Sequence, residues 1–405
     1  MTDLKLALFL MYKTITNGHK STIVLMSFVL SLAFINLIFM VSLLNGVTSA
    51  IDQQFISNSS ANIVIEPEEE PIRKKYIVDA KKLRHTIESI PGVVATAEHY
   101  NMAATFAYDK DKDGNYKYGT WAVIGVDPEE ELKVTGISNH IIAGRYLENP
   151  GFGDIVLGSD IAGGYGAVQE LNSLDVNTGE RITLTFNNGM KRKYTVRGIS
   201  KVRFLLIDQV AYVTIRDAES ILGQDMPSQI IVKIEQTGDE DAYIQQIKQI
   251  APNLKVRKWT EYASAVGDMT QSFDLISAIL GMISLIVGAI TIFILIYINV
   301  VNRKRQIGIL RAIGIKENII ILSYILQALF YAASGICLGI IILYVLINPY
   351  FVGYPLQLPV GDVSLAVKIP QVVQGSIMLL IAALLAGFVP SRLATKENIL
   401  QAIWG

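Results

Sequence analysis

Residues 275–302, between Asp274 and Arg303, carry no charged side chain, and a second uncharged run follows at 318–361. One bilayer crossing as an α-helix needs about 20 predominantly apolar residues, so each run can supply one. A third run, residues 21–51, lies near the N-terminus. It is too long for a signal-peptide core and has no Ala-x-Ala-like exit, which makes it a retained span. Three such runs leave an ordinary soluble fold without a way to cover its apolar surface. The chain is expected to be an integral membrane protein.

Composition agrees: 51% of the 405 residues are hydrophobic, 18% are charged, and the mean hydropathy is +0.40. The net charge of −1 decides little, because the distribution of charge matters more than its sum. The single cysteine, Cys337, falls inside a span and reads as a packing residue, so no disulfide forms within the chain.

The expected order along the chain is an amphipathic helix at 1–20, a first transmembrane helix at 21–50 and a large outer domain at 51–271. A second span at 272–301, a basic helical segment at 302–318 and a third span at 319–347 follow. An outer loop at 348–370, a fourth span at 371–389 and a tail at 390–405 complete it. In the first segment Leu4, Leu8, Met11 and Ile15 recur at helical spacing with Lys5, Lys13 and Lys20 off the stripe, as in a helix resting on a membrane surface. Gly46 is expected to end the membrane part of the first span, Asn348-Pro349 the third and Pro390 the fourth. The second run exceeds the roughly 30 Å of a hydrocarbon core, so its first turns are expected to project as a stalk. Lys and Arg concentrate in the N-terminal segment, the central basic segment and the tail, whereas the 348–370 loop has only Lys368. That bias places both termini in the cytoplasm and the large domain outside.

The expected fold class is therefore an α-helical membrane protein with four transmembrane helices and a large α+β extracytoplasmic domain inserted between helices 1 and 2. Within that domain, residues 62–98 and 230–259 each read as strand, helix, strand, with Pro where the helix must stop, a suggestive internal repeat. These form an α+β lobe at about 52–136 and 224–271. Between them, at about 137–223, lies a β-rich lobe with a hairpin, Arg181 to Phe186 and Lys191 to Val196 joined through Asn187-Asn188-Gly189.

Catalytic signals are weak. No G-x-x-x-x-G-K-[ST] occurs, so ATP-driven work is expected from a separate chain. His19, His85, His99 and His140 show no metal-ligand spacing. Asp109, Asp111, Asp113 and Gly114 imitate the first half of a calcium loop, but Thr120 stands where a bidentate Glu belongs and Lys110, Lys112 and Lys117 dilute the charge. A plain Asp-Gly hairpin turn fits better. No metal, cofactor or nucleic acid is expected, and the chain is expected to be non-catalytic.

Four spans are too few to enclose a roomy pore, so pairing is expected. Ser284 with Gly288, Gly335 with Gly339, and Ala383 with Gly387 are small-x-x-x-small pairs that let helices approach closely. In the basic segment Ile307, Leu310 and Ile313 form an apolar stripe beside Lys304 and Arg311, suited to a membrane face or a partner's groove.

At Arg303 to Gly314 the sequence resembles the signature of the MacB/FtsX-like ABC transporter permeases, close to R-x-E-I-G-I-x-x-A-x-G. Ile307, Gly308, Ile309, Ala312 and Gly314 match; Gln306 replaces the usual Glu, and Ile315 stands where a small residue is common. Further similar stretches are Ala143 to Tyr146, Asp154 to Gly158, Gly179 to Ile182, Tyr194 to Ile199, and the ending Pro390 to Ala394 with Asn398 to Ile403. The resemblance implies a permease subunit that forms a homo- or heterodimer and recruits two copies of a cytoplasmic ABC ATPase. Arg303, Lys304, Arg305, Gln306, Ile307, Gly308, Leu310, Arg311, Ala312, Ile313 and Gly314 would form the helix coupling it to that ATPase. It further implies mechanical export or extraction of a hydrophobic substrate such as a lipoprotein, drug or peptide, with membrane lipid and a periplasmic adaptor or carrier as further partners. The alternative is an ATPase-driven regulator of an outer partner such as a cell-wall hydrolase, without transport.

Overall fold

The computed structural model describes residues 2–16, 20–68, 76–111, 113–165, 173–358 and 360–396. His19, Lys112 and the 398–403 ending therefore lie outside the described residues. The chain divides into two compact units, one built from 1–48, 271–356 and 363–405, the other from 49–270 and 357–362.

Chain order begins with α1 (Thr2–Thr16) and α2 (Lys20–Phe55), followed by β1 (Ile63–Pro67), α3 (Ala80–Glu88), β2 (Val93–Tyr108), β3 (Lys117–Val126) and α4 (Pro128–Val134). Next come β4 (Ile141–Gly144), β5 (Asp154–Gly158), α5 (Ser159–Ala162), β6 (Arg181–Phe186), β7 (Lys191–Ser200), α6 (Leu205–Asp208), β8 (Val210–Thr214) and α7 (Ile215–Leu222). After β9 (Gln229–Ile234), α8 (Glu240–Ile250), β10 (Leu254–Lys258) and α9 (Trp259–Tyr262), five further α-helices follow among the described residues, the last two separated by a two-stranded ribbon, Leu356–Leu358 with Gly361–Val363. The helices are α10 (Ser264–Asn302), α11 (Lys304–Ala312), α12 (Glu317–Ile342), α13 (Asn348–Gly353) and α14 (Ile369–Lys396).

Among the described residues four helical stretches are long and apolar enough to cross a membrane, at Ile23–Ser60, Val266–Asn302, Glu317–Gly353 and Ile369–Leu393; the residues of the first and second run on from the first unit's part of the chain into the second's. Leu30, Phe34, Ile38, Ile292, Ile296, Tyr324, Ala328, Ala332, Leu379 and Ala383 are buried among them. Outward, α10 exposes Ile279, Ile283, Ile286, Ile290 and Ile294, and α14 exposes Ile377, Ile381 and Leu385, as lipid-facing surfaces do.

Three expected stops are not helix ends. α2 runs past Gly46 to Phe55; a Cβ at Gly46 would collide with the Ser364 carbonyl, so this glycine serves a close approach and not a termination. Beyond Ile342 the chain makes a π-helical turn, Leu343–Ile347, and stays helical through Pro349 in the first turn of α13. The widened turn accommodates the ring and the missing N–H of proline. Pro390 lies inside α14, which continues to Lys396, as membrane helices tolerate when neighbouring groups take up the freed backbone.

The second unit is built on one ten-stranded sheet in the order β10-β1-β9-β2-β3-β8-β5-β7-β4, with β6 bridging β2 and β7. The segment β10-β1-β9-β2 is antiparallel throughout and carries α3 and α8. It is a split βαβ arrangement in which the two strand-helix-strand units interleave. Ile63, Ile65, Ile87, Ile230, Val232 and Ile247 form its core. A second core of Phe106, Ile155, Leu157, Leu184, Tyr194, Val196 and Val213 fills the β-rich lobe. The hairpin β6–β7 forms with Arg181 opposite Thr195 and Gly189 at positive φ.

The lobe boundary differs from the expected residue 137. β2 is 16 residues long and belongs to both lobes: Val93 to His99 pair with β9, whereas Tyr100 to Tyr108 pair with β3. Ala104, Phe106, Tyr108 and Val123 therefore belong to the β-rich core. A strand that passes from one core to another keeps the same alternation, so the sequence has no break to mark the change.

Candidate functional site

The candidate site is α11 with its two caps. Arg303 leaves helical geometry, at φ −114°, and separates α10 from α11. At the other end Ile315 N–H bonds the Leu310 carbonyl at 3.1 Å and Gly314 N–H the Arg311 carbonyl at 3.0 Å. Gly314 has φ +91°. This is a Schellman stop, in which glycine supplies the left-handed residue. The A-x-G of the signature is thus a helix terminator, and it turns the chain straight into α12.

One face of α11 is locked into the helix core. Ile307 is 2% exposed, Gly308 is buried, and Leu310 and Ile315 pack partly against the same cluster. The other face is open: Ile313 is 69% and Ile309 47% exposed, with Arg305, Gln306 and Ala312 exposed beside them. The expected stripe of Ile307, Leu310 and Ile313 therefore splits. Spacings of three and four keep 307 and 310 toward the bundle and place 305, 309, 312 and 313 together on the far side. Ile309, which matches the signature but was not among the expected stripe or coupling residues, belongs to this open side, as its position four residues before Ile313 signals.

Charges hold the segment in place. Arg311 pairs with Glu317 in the first turn of α12 at 2.7 Å, and an acid there also suits the helix N-terminus. Arg303 donates to the Thr14 carbonyl of α1 at 3.4 Å, and Lys316 lies 4.0 Å from Asp3. α1 packs on α12 and turns Leu4, Leu8, Phe9 and Tyr12 outward. Lys304 is half-buried.

The small residues expected to mediate pairing sit at seams inside the chain. A Cβ on Gly335 would lie 2.7 Å from Leu30 Cβ, and one on Gly339 2.7 Å from Phe34 Cδ1. The α12 glycines thus receive α2, in a helix seam within the chain. Ser284 donates to Asn36 at 3.0 Å, Gly288 faces Leu379 of α14, and Gly387 faces Ala328 of α12. Polar pairs join the same seams: Ser27 with Ser334 at 2.8 Å and Asn45 with Gln371 at 2.7 Å.

In the second unit Asp109 accepts from Gly114 N–H at 3.0 Å and Asp113 from Asn115 N–H at 2.9 Å, so both carboxylates shape the β2–β3 turn. Among the described residues no group of three or more His, Cys, Asp or Glu is placed to hold a metal. His85 is exposed and lies 3.9 Å from Glu88; His99 is buried and bonded to Glu131 at 2.8 Å. Burial holds His140 below its usual range. No local pattern announces the buried network of Arg84, which reaches Thr96 at 2.9 Å, Glu98 at 3.4 Å and Glu130 at 2.5 Å. Burial pushes the Glu98 carboxyl up despite the adjacent guanidinium.

Residues 24–250 match the MacB-like periplasmic core domain and residues 278–399 the FtsX-like permease C-terminal domain. The chain belongs to the MacB/FtsX-like family of ABC transporter permeases. It is 27% identical over 139 residues to the macrolide export ATP-binding/permease protein MacB of Hahella chejuensis, covering 34% of this chain and 20% of the relative. It is 24% identical over 192 residues to the probable syringafactin export ATP-binding/permease protein SyfD of Pseudomonas syringae pv. tomato, covering 46% and 28%. With the uncharacterized ABC transporter permease YvrN of Bacillus subtilis it shares 27% identity over 209 residues, 48% of either chain. The matches thus span a fifth to a half of the relatives' lengths. The solved periplasmic region of MacB from Actinobacillus actinomycetemcomitans aligns with 54% of this chain at 12% identity and a TM-score of 0.36.

Proposed function

We propose that this permease transmits force from a separate cytoplasmic ABC ATPase, seated on the open face of α11, to its larger unit on the other side of the membrane. The observation that carries the proposal is the two-sided character of α11. Ile307 is fixed in the helix core while Ile309 and Ile313 stand exposed beside Arg305, so a load on the outer face moves the bundle as one body. Exposed isoleucines with a flanking cation suit an apolar groove with an acidic rim on the partner. The cation bias of the short segments supports a cytoplasmic position for this face.

Two ATPase copies and a dimer of permeases, homo- or heteromeric, complete the proposed assembly. Its seam is to be sought outside the Gly335 and Gly339 positions, which α2 occupies. Work done on the outer unit then exports or extracts a hydrophobic substrate, as the names of MacB and SyfD suggest by analogy; the alternative output is regulation of an outer partner without transport.

The test is purification of the tagged full-length chain from its native membrane in mild detergent, with an ATPase assay of what accompanies it. A P-loop ATPase recovered in equal amount supports the proposal. A chain recovered alone and without ATPase activity contradicts it.

A further inference from the structure

The β-rich lobe is a closed ring of strands. β2 pairs with β3, β3 with β8, β8 with β5, β5 with β7, β7 with β6, and β6 again with β2, around a core that includes Phe106, Leu157 and Tyr194. A closed barrel has no free edge and, with one shared core, is stiff. Its chain enters from β2 and leaves to β9, whereas α2 runs on toward β1 and β10 runs on to α10. Covalently, therefore, the long apolar helices lead directly into the α+β lobe, and the barrel is reached only through that lobe.

A second attachment lies within the same unit, which includes residues 49–55 of α2, 264–270 of α10 and 357–362 of the ribbon before α14. It is the segment between β7 and β8, residues 201–208. The Phe204 ring meets the Phe55 ring of α2 edge-on at 6.3 Å, and Phe55 lies 5.8 Å from the Trp259 ring ahead of α10. All three rings are at most 5% exposed. Arg203 pairs with Asp362 of the ribbon at 3.5 Å. One short segment of the barrel thus meets all three passages of the chain.

The segment is fixed in turn to the barrel. Arg203 holds φ +66°, a conformation that is costly for a residue with a side chain. The buried Asp208 carboxylate keeps it there, accepting from Val202 N–H at 2.8 Å and Arg203 N–H at 2.9 Å. Gly158, which ends β5, lets the Asp208 carbonyl approach where a Cβ would collide, and Val202 and Ile207 are buried. Lys201 N–H bonds the His140 carbonyl at 2.9 Å, and Gly136 N–H, just before that turn, bonds the Ser57 carbonyl just past α2 at 2.7 Å.

We propose that residues 201–208 form the joint that makes the barrel follow the chain passages, with Phe204 and Arg203 as its positioning residues. A barrel held only through the α+β lobe could swing about β2 where that strand passes between the two cores, and a second attachment removes that freedom. The buried aromatic contacts carry the load. The half-exposed ion pair sets direction more than strength. The inference rests on the force-transmission reading and names where that force enters the barrel.

The experiment uses the full-length protein with Cys337→Ala, purified with its ATPase into nanodiscs, and spin labels at the exposed positions Y118C on β3 and S264C at the start of α10. The distance distribution between the labels, measured without nucleotide and after trapping with ATP and vanadate, is expected to be single and the same in both states. Phe204→Ala should widen it at least about twofold, as release of one of two attachments requires. Arg203→Asp, at a half-exposed position that spares the core, should widen it as well, and adding Asp362→Arg should restore it, which a general loss of folding would not do. Both single variants should keep the ATPase in equal amount. Unchanged widths in both variants overturn the proposal, as does an unsubstituted joint whose 118–264 distance shifts between the two states. A chain with the intact joint that is recovered without an ATPase overturns the force-transmission reading, and the role of the joint with it, whatever the widths.

Discussion

Replacing Gly335 by Ala tests how closely α2 and α12 approach. A Cβ at 335 would lie 2.7 Å from Leu30 Cβ, 3.1 Å from Leu30 C and 3.2 Å from Ser31 N, where carbon atoms prefer about 3.5–4.0 Å. All three obstructing atoms are backbone or Cβ, so no rotamer change relieves them and the helices must part. Overpacking of this kind costs about 1–3 kcal/mol, and the better helix propensity of Ala returns about 1 kcal/mol. The net is a loss of up to about 2 kcal/mol. Gly281 in α10 supplies the control: the same added methyl meets only Val41 Cγ2, at 3.5 Å, so Gly281→Ala gains about 1 kcal/mol. Heat-challenged full-length protein, followed by fluorescence-detected size exclusion in detergent, should show opposite shifts for the two variants. A rise for Gly335→Ala equal to that of Gly281→Ala would refute the close seam. Loss of self-association at unchanged heat resistance would place Gly335 between copies instead.

Arg84→Met leaves Glu98 and Glu130 without their shared partner; stability should fall by about 3–5 kcal/mol, and Arg84→Met with Glu98→Gln should fall by less than the sum. Burial raises Asp208 to about 6 from the ordinary 3.8, so the folded state holds a proton there that the unfolded chain releases. That contribution is fully present below pH about 4, is lost as pH rises through about 6, and amounts to about 3 kcal/mol. Asp208→Asn should flatten the melting midpoint against pH across that window. Gly314→Ala strains the Schellman stop at φ +91° and should cost about 1 kcal/mol, and α11 should hold a bound ATPase less well in a pull-down titration.

Much of the fold was legible because the bilayer demands long uncharged runs and the pleat demands alternation. The spans, the 181–196 hairpin and the paired strand-helix-strand units all carry such periodic signals. The helix continuations past Gly46, Pro349 and Pro390 were not legible, because their causes are tertiary: the Ser364 carbonyl beside Gly46 and the surroundings that let a proline stay helical. Nor could a G-x-x-x-G pattern say whether Gly335 meets a helix of its own chain or of another. In α11 the residue types pointed to an amphipathic helix, but apolar residues fall on both faces. Only the packing of Ile307 and Leu310 separates the anchored side from the open one at Ile309 and Ile313. Nothing local to Arg84 and Glu98 in the sequence announces that α3 lies over β2.

The central claim, that the open face of α11 receives the ATPase, is tested most directly by a photo-crosslinking amino acid placed in turn at Ile309, Ile313, Ile307 and Leu310 in native membranes. The account predicts adducts with a P-loop ATPase from 309 and 313, and at most adducts within the permease from 307 and 310. ATPase adducts from 307 and 310 in place of 309 and 313, or none from any position while the ATPase co-purifies, would contradict it.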